Sequence, residues 1–336
     1  MHHSELEMAV RKEPGPLSRK ELEESQWLAI EGIFKLLESC ALRRFEPSDK
    51  GEETSLVPRF DIQRWNQVFL IEGSQSSGKT ATLLTLLDAL SHWHTRSNKA
   101  RSGSVVSTPA PEECSRYLSA GNVCFVPLDV VNIRKYRADR HLALSFVGAF
   151  DNLTRELQRR FSSGFSGNRR SPSSSAYKTF REAVNFGLVM NVPPAVCGEF
   201  LMHEIELMKT EAWHREIAPS FRRFMDALCE DYRDVVRVDT PLFIIPIDDV
   251  DTTRTAELLD LMTTFSHPRV AYVFTGDRKL LIRSLTRKLV EELGTLEGES
   301  LVPLARDRAE YLLDKTAPYG QTFTLNPHGP WSGART

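Results

Sequence analysis

The stretch Gly73-Ser74-Gln75-Ser76-Ser77-Gly78-Lys79-Thr80 constrains this chain more than any other. A Gly-x4-Gly-Lys-Thr run cradles phosphate when it follows a buried strand and opens a helix. Both flanks meet that condition. Val68-Phe69-Leu70-Ile71 is a short continuous apolar run, the pattern of a strand in a parallel sheet covered on both faces. After the loop, a helix is predicted from Lys79 to about Trp93, with Leu83, Leu84, Leu86, Leu87 and Leu90 able to pack on the sheet. A chance match in a chain of this length is on the order of one in a hundred, so the motif is read as genuine.

Each position has a task. Gly73 and Gly78 let the backbone turn tightly and approach a phosphate with no Cβ in the way. The amides of Ser74, Gln75, Ser76, Ser77 and the first helical turn would form an anion cradle. Lys79 would set its ammonium against the β- and γ-phosphates of ATP, and the Thr80 hydroxyl would reach Mg²⁺.

A second signal lies far downstream. Leu242-Phe243-Ile244-Ile245-Pro246-Ile247 reads as a buried strand ending in Asp248-Asp249. Two carboxylates at such an end are costly without a partner, and Mg²⁺ held by one or two carboxylates, water and phosphates is a natural one. Asp248 is the candidate metal ligand and Asp249 the candidate group polarising the attacking water. Asp251 reads first as the N-cap of the next helix. Pro246 removes a ladder donor from a central strand, so a bulge is expected there.

The run Val270-Ala271-Tyr272-Val273-Phe274 ends in Thr275-Gly276-Asp277. A polar side chain at this point would lie beside the acidic strand. Thr275 is the first candidate for a catalytic, γ-phosphate-sensing role and Asp277 the second, although such a tripeptide also simply makes turns. Arg283, Arg287, Arg306 and Arg308 are candidate arginine fingers for a neighbour's nucleotide, and nothing selects among them.

The rest divides by composition. Residues 1–58 read as a polar tail and one amphipathic helix over 18–45, capped by Ser18 with Glu21. Residues 59–132 hold the first part of the core, with a second strand over 123–128. The Ser-, Pro- and Lys/Arg-rich 95–111 reads as a flexible surface insertion. Residues 133–240 read as a mostly helical insertion with a disordered loop near 162–175, a helix over about 140–161, and breaks near Pro193-Pro194 and Pro219. Residues 241–326 complete the core, with a last strand over 321–325. Residues 327–336 read as a disordered tail.

Composition excludes several classes. A net charge of −2 predicts no bulk attraction to nucleic acid or anionic membranes. Cys40, Cys114, Cys124, Cys197 and Cys229 form no C-x-x-C pair, which argues against disulfides and zinc and for reduced, buried thiols. His92 and His94 lack ligand partners at zinc spacing. No signal peptide and no run of about 18 apolar residues is present, so the expected location is cytoplasmic.

Taken together, the order of loop, second strand, Asp-Asp strand and Thr-ended strand resembles the AAA+/STAND branch of P-loop ATPases. Ile244-Ile245-Pro246-Ile247-Asp248-Asp249-Val250-Asp251 is similar to the second motif of KAP-type and bacterial anti-phage defence ATPases. Val273-Phe274-Thr275-Gly276-Asp277 fits their next strand. Tyr311-Leu312-Leu313-Asp314-Lys315, followed by Phe323-Thr324-Leu325, resembles the helix and last strand of that core. The resemblance covers about 67–90, 120–132 and 240–326. It implies an α/β fold with a parallel-sheet P-loop NTPase core, strand order 5-1-4-3-2, a large helical insertion and an N-terminal helix. It also implies ATP-driven oligomerisation or partner switching, and a role in anti-phage defence. Three departures stand beside it. Lys79 and Asp248 are 248 − 79 = 169 residues apart. The membrane spans that KAP proteins often insert there are missing. The helical lid that follows the last strand of the family is not found before Thr336, so either a fragment of a longer protein is expected, or a chain without the lid, in which turnover is in doubt.

Three functions stay open at this point. One is an ATP-hydrolysing regulatory engine. Another is a non-hydrolysing nucleotide switch or scaffold that binds itself or a protein partner through the helical insertion. The third is a nucleic-acid-handling ATPase, for which Arg134-Lys135-Tyr136-Arg137 with Arg140, Arg159-Arg160 and Arg169-Arg170 are the basic clusters. No acceptor site for a small-molecule kinase can be read.

Overall fold

The computed structural model describes residues 16–18, 20–42, 67–102, 123–133, 142–164, 171–189, 216–236, 240–250, 254–293 and 301–325. Its centre is a parallel sheet. The strands are β1 (Val68–Glu72), β2 (Val123–Pro127), β3 (Val131–Asn132), β4 (Thr240–Asp248), β5 (Val270–Gly276) and β6 (Thr322–Thr324). They run in the order β2-β4-β5-β1-β6, with β3 also beside β4. Every pair is parallel. The short β3 has no counterpart in the sequence reading.

The period-2 alternation of side chains gives each strand two buried faces. Phe69, Ile71, Leu242, Ile244, Ala271 and Val273 meet α1 (Glu24–Leu42) and α2 (Lys79–Ser102) on one side. Val68, Leu70, Phe243, Ile245, Tyr272 and Phe274 face the other. That side is covered by α3 (Leu142–Gly164), α4 (Pro172–Val189), α5 (216–231), α6 (Thr255–Thr264), α7 (Arg278–Leu293) and α8 (Leu301–Thr316).

The helices between β3 and β4 are therefore not an appendage. Phe146 packs against Tyr272 of β5 and Phe265 at the end of α6, with centroids 6.0 and 5.7 Å away. Phe150, Phe180, Phe221 and Phe224 complete an aromatic cluster that ends on Phe265. Fully burying such a ring is worth about 1.5–3 kcal/mol, so this block shares the sheet's own core.

Several boundaries differ from expectation. The bonds from the Ser18 amide and hydroxyl to Glu21 form at 2.8 and 2.7 Å, but they close a turn, and the helix starts at Glu24. The α2 helix continues to Ser102, through the first part of the stretch expected to be a flexible insertion. The expected disordered loop near 162–175 is helical at both ends. Residues 162–164 belong to α3, and α4 begins at Pro172. Its Ser- and Pro-rich start is capping chemistry. Pro172 supplies a preset φ at the first helical position. Ser171 Oγ and, at 3.0 Å, the Ser173 amide donate to the carboxylate of Asp231, which is 1% exposed.

Pro219 does not break a helix. The described residues 216–231 are helical straight through it. Pro246 also needs no bulge, since the β4–β5 register runs unbroken from Phe243 to Ile247. The Ile244 carbonyl accepts from the Leu128 amide, so even-numbered residues of β4 face the β2 side. The missing donor of Pro246 thus points where β2 has already ended at Pro127. Pro193-Pro194 lies outside the described residues.

Among the described residues no helix is long and apolar enough to cross a membrane. Cys40, Cys124 and Cys229 are buried free thiols. Burial pushes Cys124 and Cys229 up to about 12. Cys114 and Cys197 fall outside the described residues.

Candidate functional site

The loop 73–80 lies at the carboxyl end of β1, in the middle of the sheet. Gly73 anchors it, donating its amide to the Gly276 carbonyl at 3.2 Å. A Cβ on Gly73 would stand 2.3 Å from Ser77 Oγ, so no larger residue fits without moving the loop. A turn follows, closed by the Ser77 amide on the Ser74 carbonyl at 3.3 Å. Ser76 (φ 66°) and Gly78 (φ 81°) take left-handed backbone, which costs a non-glycine residue about 1–2 kcal/mol. These turns leave the amides of Gln75, Ser76 and Gly78 without a hydrogen bond among the described residues. Ser77 Oγ is likewise buried and without a partner there.

Lys79 is nearly buried, at 9% exposure. Its ammonium donates to the carbonyls of Gly73 and Ser74, both at 2.8 Å. These contacts hold a positive charge against the start of the loop. The set fits a phosphate group: donors, one cation, and no Cβ in the approach.

The acidic strand end lies directly beside it. Thr80 Oγ1 donates to Asp248, 3.1 Å from each carboxylate oxygen. Thr275 Oγ1 donates to Asp248 Oδ1 at 2.5 Å. Asn132 Nδ2 approaches Oδ2 at 3.4 Å, from the position in β3 that pairs with Asp248. The carboxylate is 3% exposed and has no cationic partner among the described residues. An isolated buried carboxylate is among the costliest groups a protein can hold, and three neutral donors offset only part of that. A hydroxyl and a carboxylate with hard oxygen donors suit Mg²⁺ completed by water and phosphate oxygens. Among the described residues no three His, Cys, Asp or Glu side chains form a metal cluster by themselves.

Asp249 follows in left-handed backbone at φ 59°. Its amide donates to Thr275 Oγ1 at 3.0 Å, and the Val250 amide donates to the Thr275 carbonyl at 3.0 Å. Thr275 is fully buried, and its one hydroxyl serves both acidic residues. The candidates Gly73 to Thr80, Asp248, Asp249 and Thr275 therefore converge on one corner of the sheet.

Other candidates do not join them. Asp277 Oδ1 accepts from the Lys279 and Leu280 amides at 2.9 and 3.4 Å and caps α7. Arg283, Arg287 and Arg306 line a cleft between α7 and α8. Arg308 is exposed on α8. Arg159 and Arg160 pair with Glu156 on the surface of α3. Asp251, Arg134 to Arg140 and Arg169-Arg170 lie outside the described residues, as do the side chains of His92 and His94.

Two contributors escaped the sequence reading. Asn132 carries no motif, and only the pairing of β3 with β4 brings it to Asp248. Glu72, just before the loop, accepts from Thr324 Oγ1 at 2.5 Å and ties β6 to the base of the site. An acidic residue closing an apolar strand was the available hint. No protein-family model matches the chain, and no curated protein matches it.

Proposed function

We propose that this chain binds Mg²⁺-ATP on residues 73–80 and hydrolyses it as a regulatory P-loop ATPase. The observation that carries the reading is the buried Asp248 carboxylate. It is bonded to Thr80 of the loop and lacks a cation among the described residues. The strand succession supports the same reading. With the short β3 set aside, β6-β1-β5-β4-β2 reads 5-1-4-3-2.

In this reading the unused amides of Gln75, Ser76 and Gly78 hold phosphate oxygens. Lys79 exchanges its two carbonyl contacts for the β- and γ-phosphates. Thr80 and Asp248 would hold Mg²⁺, which would supply positive charge beside the phosphates. Asp249 orients and polarises the attacking water from its place one residue beyond Asp248. Thr275 acts through its two bonds, holding the Asp248 carboxylate and the Asp249 backbone. It is a positioning residue, since its hydroxyl proton is already committed to Asp248. Work in anti-phage defence rests on the resemblance alone.

The test is a calorimetric titration of Mg²⁺-ATP into the parent and into Lys79→Ala. Binding by the parent that the variant loses supports the reading, and a folded parent that binds nothing would sink it. Phosphate release then separates the two nucleotide readings. Asp249→Asn should retain binding and lose turnover. Unchanged turnover removes Asp249 from its role, and binding without turnover in the parent favours a nucleotide switch.

A further inference from the structure

The strands β2 and β3 lie end to end along the same side of β4, and the join between them is out of step. From Pro127 to Val131 the chain advances four residues, while their partners in β4, Ile244 and Ile247, are three apart. The segment 128–130 therefore holds one residue more than the ladder takes, as in a β-bulge. It faces Pro246, which has no amide to donate, so the lapse leaves no donor of that residue stranded. Asp129, inside the segment, accepts from Asn152 Nδ2 of α3 at 2.7 Å, which pins the extra residue from outside. A one-residue shift turns the later side chains to the other face. Without it Val131 would stand level with Asp248. With it Asn132 takes that place, and its side chain reaches the carboxylate.

The two oxygens of Asp248 are not held alike. Oδ1 accepts from Thr275 Oγ1 at 2.5 Å and lies 3.1 Å from Thr80 Oγ1. Oδ2 lies 3.1 Å from the same Thr80 hydroxyl and 3.4 Å from Asn132 Nδ2. A hydroxyl has one proton and cannot serve both oxygens fully. Oδ1 is thus firmly bonded, and Oδ2 is the oxygen with capacity to spare. A carboxylate only accepts, so the Asn132 amide presents its N–H to it. That bond is longer than the usual N–H···O range. It gives the oxygen a direction without competing strongly for its charge.

We propose that Asn132 is a positioning residue for the metal ion, holding Asp248 so that Oδ2, rather than Oδ1, is the oxygen offered to Mg²⁺. The extra residue in 128–130 is what delivers Asn132 to that place. The inference rests on the Mg²⁺-nucleotide reading above. An amide suits the task because it adds a donor without adding a charge. A carboxylate at 132 would repel Asp248 until a cation arrived. An apolar side chain there would leave Oδ2 without its guide, and partners that orient metal ligands matter to affinity for the ion.

The experiment is calorimetric titration of the full chain with a non-hydrolysable ATP analogue, once in excess Mg²⁺ and once in EDTA. The ratio of the two affinities measures what the metal ion adds. Asn132→Leu, close in size, should lower that ratio by at least about tenfold, the scale for partners that orient metal ligands, with the affinity in EDTA unchanged. Asn132→Ala should do the same and serves if the larger side chain disturbs folding. Asn132→Asp should act with the opposite sign. Its melting temperature in EDTA should fall below the parent's, Mg²⁺ alone should restore it, and its ratio should match or exceed the parent's. A residue that merely packs would give all three variants the same sign. Ratios for Asn132→Leu and Asn132→Ala equal to the parent's overturn the proposal and leave the nucleotide reading standing. So does a loss of affinity that is the same in EDTA and in Mg²⁺. A parent that binds the analogue in neither condition overturns both.

Discussion

The hydroxyl of Thr275 stands 2.5 Å from Oδ1 of Asp248 and donates to it, although the two residues lie on different strands and 27 positions apart. The same oxygen accepts from the Asp249 amide at 3.0 Å. One small side chain thus holds the acidic strand end from both directions.

Thr275→Val should therefore act on both neighbours. It keeps the shape but removes a donor from a buried carboxylate and an acceptor from the Asp249 amide. Leaving such groups unsatisfied costs about 1–3 kcal/mol. Urea denaturation should show that loss. In the nucleotide reading kcat should fall more than KM rises, and Thr275→Ser should recover most of both effects.

Gly73→Ala should separate the loop from the fold. The added methyl meets Ser77 Oγ at 2.3 Å and Ser77 Cβ at 3.0 Å, so the turn has to open. Nucleotide affinity should fall at least about tenfold, or about 1.4 kcal/mol, while the melting transition moves little. Adding Ser77→Gly to Gly73→Ala should return part of the affinity by calorimetry. An affinity for Gly73→Ala equal to the parent's would show that the cradle is not what binds.

Asp231→Ala should destabilise the helical block and spare the site. It strips the Ser171 hydroxyl and the Ser173 amide of their shared acceptor at the start of α4. Loss of a buried cap is worth about 0.5–2 kcal/mol. Chemical denaturation should show this, with binding at the loop unchanged in the folded state.

His267 should set part of the acid side of the stability curve. Burial holds its pKa below the ordinary 6.5, against the opposing pull of Asp226, whose carboxylate is 3.2 Å from Nε2. Its Nδ1 accepts from the Arg269 amide at 3.0 Å, as a neutral ring does. The unfolded chain therefore takes up a proton first as the pH falls. The stabilisation is full above 6.5 and is lost as the pH drops through that value toward the lower folded pKa. The slope from one site is at most about 1.4 kcal/mol per pH unit. Melting temperatures from pH 8 to 5 should fall for the parent and fall less steeply for His267→Gln, relative to its own value at pH 8.

The loop, the Asp-Asp strand end and the parallel α/β core were legible in the amino-acid order because their chemistry is local. Eight consecutive residues make up the loop, and an apolar run ending in two carboxylates announces itself. Thr275 was legible only as one of two neighbours, and its difference from Asp277 came from where each backbone goes. Thr275 is still in β5, beside Asp248, while Asp277 has left the strand and caps α7.

Composition misled where polar residues had distant partners. Ser171 and Ser173 look like low-complexity linker until Asp231, some sixty positions away, supplies their acceptor. Pro246 looks like a defect until the end of β2 shows that its missing amide had no ladder bond to make. Asn132 has no signature at all, and reaches Asp248 only because β3 pairs with β4.

By itself, then, the sequence determined which residues are the candidates for phosphate and metal chemistry, since backbone turns, side-chain charge and hydrophobic period are properties of neighbours in the chain. Which of them meet, which serve as caps, and which helices belong to the core were decided by tertiary structure. Hydrogen bonds and packing act over a few ångströms, and only the folded sheet brings residues 80, 132, 248 and 275 within that reach.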